Sequence, residues 1–81
     1  MVTPESIRQS IADGLACDHL EVRGDGHHFE ALIVSREFDG LSKVRQHQLV
    51  YAAMGDRMRE EVHALSMTTL TPAQWAARGG R

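Results

Sequence analysis

The hydrophobic positions change period several times along the chain, and each change marks an element. Ile7, Ile11 and Leu15 recur every four residues, the spacing of one apolar stripe on a helix. Thr3-Pro4-Glu5 supplies its start: Thr3 can cap, Pro4 suits the first helical position, and Glu5 complements the positive end of the dipole. Val2 and Ile7 are placed for a hydrophobic staple, and Gly14 marks the helix end. His19-Leu20-Glu21-Val22-Arg23 then alternates, with Leu20 and Val22 on one face. After Gly24-Asp25-Gly26, the run from Phe29 to Ser35 is apolar enough for an interior strand. Two strands joined by a short loop containing Asp-Gly predict an antiparallel hairpin, with His27 and His28 at the loop's exit. Arg36 to Leu41 has no clear period, and Asp39-Gly40 signals a turn, so this stretch is a connecting loop with room for a brief helical turn.

Ser42 can cap a second helix, expected to run to about Glu61. Val44, His47, Tyr51, Met54 and Met58 recur at spacings of three and four, with Val50 beside them. That pattern puts His47 near the middle of the apolar face, and Arg45, Gln48, Asp56, Arg59 and Glu60 on the polar one. Gly55 weakens the helix interior by about 1 kcal/mol against Ala. From His63 the period becomes two: Leu65 and Met67 share its face, and Ala64, Ser66 and Thr68 share the other. Leu70-Thr71-Pro72-Ala73-Gln74-Trp75 then stacks three helix-start signals. Thr71 and Gln74 fit a capping box, Pro72 the first helical position, and Leu70 with Trp75 a staple. Gly79-Gly80 ends that helix. The expected order is α-β-β-α-β-α. The fold class is α+β, a three-stranded sheet with helices on one side, in a single domain over residues 1–81.

Composition narrows the function classes. Hydrophobic content of 42% and charge of 25% are those of a globular chain. The longest apolar run, Ala31-Leu32-Ile33-Val34, is far short of a membrane span. MVTPESIRQS lacks a basic region followed by an apolar one, so no secretory signal is expected. A lone cysteine, Cys17, cannot build a disulfide framework, and these features together point to a reducing, cytoplasmic-type compartment. Net charge is −2 with a pI near 6.2, without the basic surplus that most nucleic-acid binders use against phosphates. Arg36, Lys43, Arg45, Arg57 and Arg59 gather in the middle third. Asp39, Asp56, Glu60 and Glu61 are interspersed among them, which reads as a solvated face. No nucleophile elbow, phosphate loop or dinucleotide fingerprint is present, and the chain is not expected to be an enzyme.

Five histidines in so short a chain raise metal binding. With one thiolate, a cysteine-rich zinc site cannot form, and there is no His-Glu-x-x-His. His27 and His28 are adjacent, and adjacent side chains on a strand point oppositely, so they do not suit one ion together. The strongest internal pair is one of them with His63, at the junction of the long helix and the last strand. The cysteine count also excludes a complete iron–sulfur site inside the chain. A cluster shared with a thiolate-bearing partner stays open, since imidazole ligation of one iron occurs in Rieske centres. His47 reads as a core or half-buried imidazole, Cys17 as a small semi-buried hydrophobe, and Tyr51, Met54 and Met58 as core.

Gly24-Asp25-Gly26-His27-His28-Phe29, Leu32-Ile33-Val34-Ser35, Phe38-x-Gly40, Val44-x-x-His47-Gln48-Leu49-Val50-Tyr51 and His63-Ala64-Leu65-Ser66-Met67-x-Thr69-Leu70-Thr71-Pro72-x-x-Trp75 together resemble the BolA family. The resemblance runs from about Ile7 to Trp75, and the short form with loop histidines is closer to the acid-stress branch. It implies an α-β-β-α-β fold similar to class II KH domains and pairing with a monothiol glutaredoxin. It also implies a bridged 2Fe–2S cluster, with the glutaredoxin cysteine and glutathione on one side, and no cofactor held tightly by the chain alone. Carried onto this chain, the resemblance implies His63 as one ligand and a loop histidine as the other, His28 next to Phe29 or else His27. The family often has Arg-His where this chain has Gln46-His47, which puts any role of that arginine in doubt. The implied function is a non-enzymatic adaptor in iron–sulfur cluster assembly, trafficking or iron-responsive regulation. The alternative is a KH-like, DNA-binding transcriptional regulator in stress response. Against the alternative stand the net charge and the lack of a Gly-x-x-Gly clamp between Arg36 and Lys43. No membrane partner is expected, and the free chain is expected as a monomer or weak homodimer.

Overall fold

The computed structural model describes residues 2–56 and 64–80. Thr3 starts the first helix through a reciprocal capping box. Its hydroxyl accepts from the Ser6 N–H at 3.1 Å, while Ser6 Oγ accepts from the Thr3 N–H at 2.9 Å. Helix α1 covers Pro4–Gly14, followed by strands β1 at His19–Gly24 and β2 at Phe29–Val34. The connection after β2 contains one 3-10 turn, Arg36–Phe38, opened by Ser35. Helix α2 spans Lys43–Met54, strand β3 Leu65–Leu70, and the short helix α3 Pro72–Ala77. Ser42 caps α2, and the expected Thr71–Gln74 capping box opens α3. The order is the α-β-β-α-β-α that the sequence predicts.

The sheet order is β1-β2-β3, so the most apolar strand is the central one. β2 pairs antiparallel with β1, from Gly24↔Phe29 to His19↔Val34. It pairs parallel with β3, from Phe29↔Leu65 to Val34↔Leu70. Alternation then sorts the side chains. Phe29, Ala31 and Ile33 of β2 and Leu65 of β3 join Ile7, Ile11 and Leu15 from α1 and its C-cap, Val50 and Met54 of α2, and Phe38 in one core. Helices α1 and α2 therefore cover one face. Gly14 sets their approach: a Cβ there would lie 2.4 Å from the Ala53 carbonyl oxygen.

The opposite face carries a smaller apolar patch at one end. His19, Val34 and Leu70 form one row across the sheet by register. Val34 and Leu70 are buried although neither belongs to the main core cluster. Trp75 of α3 stacks on His19, ring centroids 4.7 Å apart and 18° between planes, and His19 Nε2 lies 2.5 Å from Glu21 Oε2. Gly80 passes so close beneath the indole that a Cβ would meet its ring at 2.1 Å. The short third helix thus serves the outer face, while the two long ones serve the core.

Two expectations for α2 need correction. It ends at Met54 rather than near Glu61, because Gly55 takes φ 68° and its N–H closes on the Tyr51 carbonyl. Residues 57–61 of the expected helix, Met58 included, lie outside the described residues. The buried face is also rotated: Gln46, Val50 and Met54 face inward, Val44 and Tyr51 are 67% and 41% exposed, and His47 is half-buried on the flank. The cause is a polar anchor that hydrophobic periodicity does not register. Gln46 Nε2 donates to the carbonyls of Leu41 (3.0 Å) and Phe38 (3.4 Å), and its Oε1 accepts from Thr69 Oγ1 at 2.7 Å. Lys43 Nζ donates to the Thr69 carbonyl. Buried amides and hydroxyls stay in a fold when their bonds are made, and here making them fixes the rotation of α2 against β3. Among the described residues no helix is long and apolar enough to cross a membrane.

Replacing Thr69 by Val should leave the buried Gln46 oxygen without its hydroxyl donor. The expected loss is about 1–3 kcal/mol of unfolding free energy in urea titration, with the denaturant slope unchanged.

Candidate metal centre

The hairpin loop is organised by one carboxylate. Asp25 Oδ1 accepts the backbone N–H groups of both His27 and His28 at 2.9 Å, and the Asp25 N–H donates to the His28 carbonyl at 3.2 Å. Aspartate favours this arrangement because its short side chain reaches amides two and three residues on. Gly26 supplies the φ of 96° that lets the chain turn back. The His27 amide first, then that of His28, holds the Asp25 carboxyl below its ordinary range, since both bonds favour the anion. Both histidine side chains are exposed, while the next residue, Phe29, is buried and pins the loop to the core.

Of the two, His28 is the one that reaches a second strand. Its Nε2 lies 3.3 Å from Ser66 Oγ on β3. Alternation explains the contact: Phe29 points into the core, so its neighbours His28 and Glu30 face outward, and register pairs Glu30 with Ser66. Ser66 also lines a groove of about 460 Å³ on that outer face, together with Arg23, Glu30, Leu32, Thr68 and Trp75. His63, expected as the second ligand, lies outside the described residues. Among the described residues no three His, Cys, Asp or Glu side chains gather as a metal site.

Cys17 stands apart from this end of the sheet. It precedes β1, whose first residue pairs with the last of β2, whereas His28 precedes the first residue of β2. Its Sγ donates to the Leu15 carbonyl at 3.5 Å, and burial first, then the charges of Asp18 and Glu37, pushes the thiol pKa up. A half-buried thiol so placed stays protonated and behaves as the small hydrophobe that the sequence suggests. Gln46 is a buried structural node, which removes position 46 from any binding surface.

The family model described as BolA-like protein matches residues 4–74. The chain belongs to the BolA-like family. Human BolA-like protein 1 is 38% identical over 80 residues, covering 86% of this chain and 58% of that protein. The chain therefore spans little more than half the length of this relative. Acid stress protein IbaG of Escherichia coli strain K12 is 35% identical over 71 residues, covering 86% and 84%. The DNA-binding transcriptional regulator BolA of Haemophilus influenzae is 35% identical over 60 residues, covering 74% and 58%. A solved BolA homologue from Coxiella burnetii superposes with a TM-score of 0.77 at 42% identity, over 94% of this chain and 99% of that one.

Sequence reasoning singles out the loop histidines of this BolA-like chain but not Asp25 or Ser66. Asp25 carries a readable signal, an Asx-type residue two and three positions ahead of the amides it binds. Ser66 carries none, because its contact depends on the register of a strand 38 residues away.

The depressed Asp25 carboxyl gives a pH test. Loop order is present above the ordinary carboxylate range, about pH 4, and is lost as pH falls through the lower folded value. The amide shifts of His27 and His28 should therefore show an acidic-pH step that reports the Asp25 carboxyl. Asp25→Asn, which keeps an acceptor oxygen, should flatten that titration, and Asp25→Ala should speed exchange of both amides at every pH.

Proposed function

We propose that this chain is a non-enzymatic adaptor that pairs with a monothiol glutaredoxin and shares a 2Fe–2S cluster with it, His63 and His28 being its own ligands. The observation that supports this best is the parallel register Phe29↔Leu65. It sets the starts of two strands side by side. One start follows directly on His28, and the other comes two positions after His63 in the sequence. The donor chemistry fits half a cluster site. Among the described residues this exposed imidazole meets a serine hydroxyl, and imidazole nitrogen is a ligand of the kind found on one iron of a Rieske centre. The missing thiolates are the partner's to supply. Bound there, the cluster would bring redox-active iron that the chain's own side chains lack. His28 then binds, Asp25 orders the loop, and the exposed outer face leaves room for the second protein.

A DNA-binding role has narrower support, namely the name of the Haemophilus influenzae relative. The net charge of −2 opposes it, and the outer face sets Glu21 and Glu30 beside Arg23.

Adding the chain to a cluster-loaded monothiol glutaredoxin should change the visible absorption and circular dichroism of the cluster. His63→Ala and His28→Ala should each weaken formation of the mixed species by about tenfold or more, the scale on which even outer-shell changes act at metal sites, and His27→Ala should leave it intact. An unaltered spectrum with the wild-type chain rejects the adaptor. Salt-dependent DNA binding tighter than roughly 100 μM would favour the regulator instead.

A further inference from the structure

We infer that His28 offers Nδ1, not Nε2, to the metal, and that Ser66 is the positioning residue that decides this. The inference rests on the adaptor reading and sharpens it. A neutral imidazole has one N–H and one lone pair, and a metal takes the lone pair. In metal sites the other nitrogen almost always donates to a nearby oxygen, which fixes the tautomer and the ring orientation. Here Ser66 Oγ lies 3.3 Å from Nε2, and Nδ1 has no partner among the described residues. With Ser66 accepting from the Nε2–H, the lone pair that remains is on Nδ1. Ser66 is exposed, so in this arrangement its own hydroxyl proton is free to be taken up by solvent.

Both ends of this contact are held. The His28 backbone is tied by its N–H to Asp25 Oδ1 and by its carbonyl to the Asp25 N–H, so the ring moves only by its own torsions. Ser66 sits within a strand paired to β2 rather than in a loop, and that pairing fixes its position. His27 has the same backbone tie to Asp25 but no described side-chain partner across the sheet. The two adjacent histidines are therefore not equivalent. One contacts a serine on a paired strand, and the other has no such contact among the described residues.

The test uses the whole chain with histidine labelled at one ring nitrogen at a time. In the free protein, long-range proton–nitrogen correlation should show His28 in the Nε2–H form. Ser66→Ala should convert it to a mixture of tautomers, and Ser66→Thr, which keeps the hydroxyl, should restore it. In the reduced cluster complex with a monothiol glutaredoxin, pulsed electron paramagnetic resonance should find strong coupling from the Nδ1 label, lost in His28→Ala. Ser66→Ala should lower formation of the mixed complex about tenfold, with rescue by Thr. Strong coupling from Nε2, or an Nδ1–H tautomer in the free protein, overturns this inference and leaves the adaptor standing. No cluster at all with the wild-type chain overturns both.

Discussion

The parallel pairing of β2 with β3 is the constraint on which the rest of this structure depends. Parallel neighbours cannot be joined by a tight turn, so the chain must leave the sheet, return along it and re-enter at the same end. Helix α2 makes part of that return, and its inward residues Val50 and Met54 complete the core over β2 and β3. The pairing leaves β2 with a strand on each side, so it is the central strand of the sheet. It also aligns two strand starts, at Phe29 and Leu65, and so decides which loops can meet.

The two ends of β2 are treated differently. Beyond Val34 the chain is fastened by polar contacts across elements. Ser35 Oγ donates to the Ala16 carbonyl at 2.7 Å, Glu37 Oε2 accepts from the Ala16 N–H at 3.1 Å, and Arg36 Nη2 donates to Asp18 Oδ1 at 2.7 Å. The Arg36 hydrogen bond holds the Asp18 carboxyl below its ordinary range, so the ion pair persists into mildly acidic solution. The Trp75–His19 stack covers the same end from the outer face. At the other end of β2 the described contacts are those of the hairpin turn, ordered by Asp25, and the His28–Ser66 contact, and there the histidines are exposed. Rigidity at one end lets the other carry reactive side chains without loss of the fold.

Legibility in the sequence divides along the same physical line. Local signals suffice for the caps at Thr3, Ser42 and Thr71, for the hairpin around Asp25-Gly26 and for the element order, because each depends on residues within a few positions. The face of α2 is not legible, because hydrophobic periodicity treats Gln46 as polar and therefore outward. Its burial depends on Thr69, which is 23 positions away. The helix end escapes for a related reason. The same glycine either weakens a helix or terminates it, and the positive φ that separates the two belongs to the folded backbone, not to the residue type. In the candidate site, His27 and His28 are legible as residue types at a turn. Their difference in environment is not, since only the register of β3 brings Ser66 to one of them.

That register also bears on why the site would be shared rather than self-contained. The chain's single thiol lies before β1, level with the far end of β2, while His28 lies before its near end. A six-residue strand separates those levels by about 17–20 Å, several times a metal–ligand bond length. Cys17 is also half-buried and raised in pKa, so it offers neither reach nor thiolate. Moving it to the histidines would require breaking the Ala16–Ser35 and Asp18–Arg36 contacts that fasten that end. The fold thus places exposed imidazole in the hairpin loop just before a strand start and keeps its thiol away from it. A cluster seated at these histidines must draw its sulfur ligands from another molecule, and the proposed dependence on a thiol-bearing partner follows from the sheet's geometry as much as from the cysteine count.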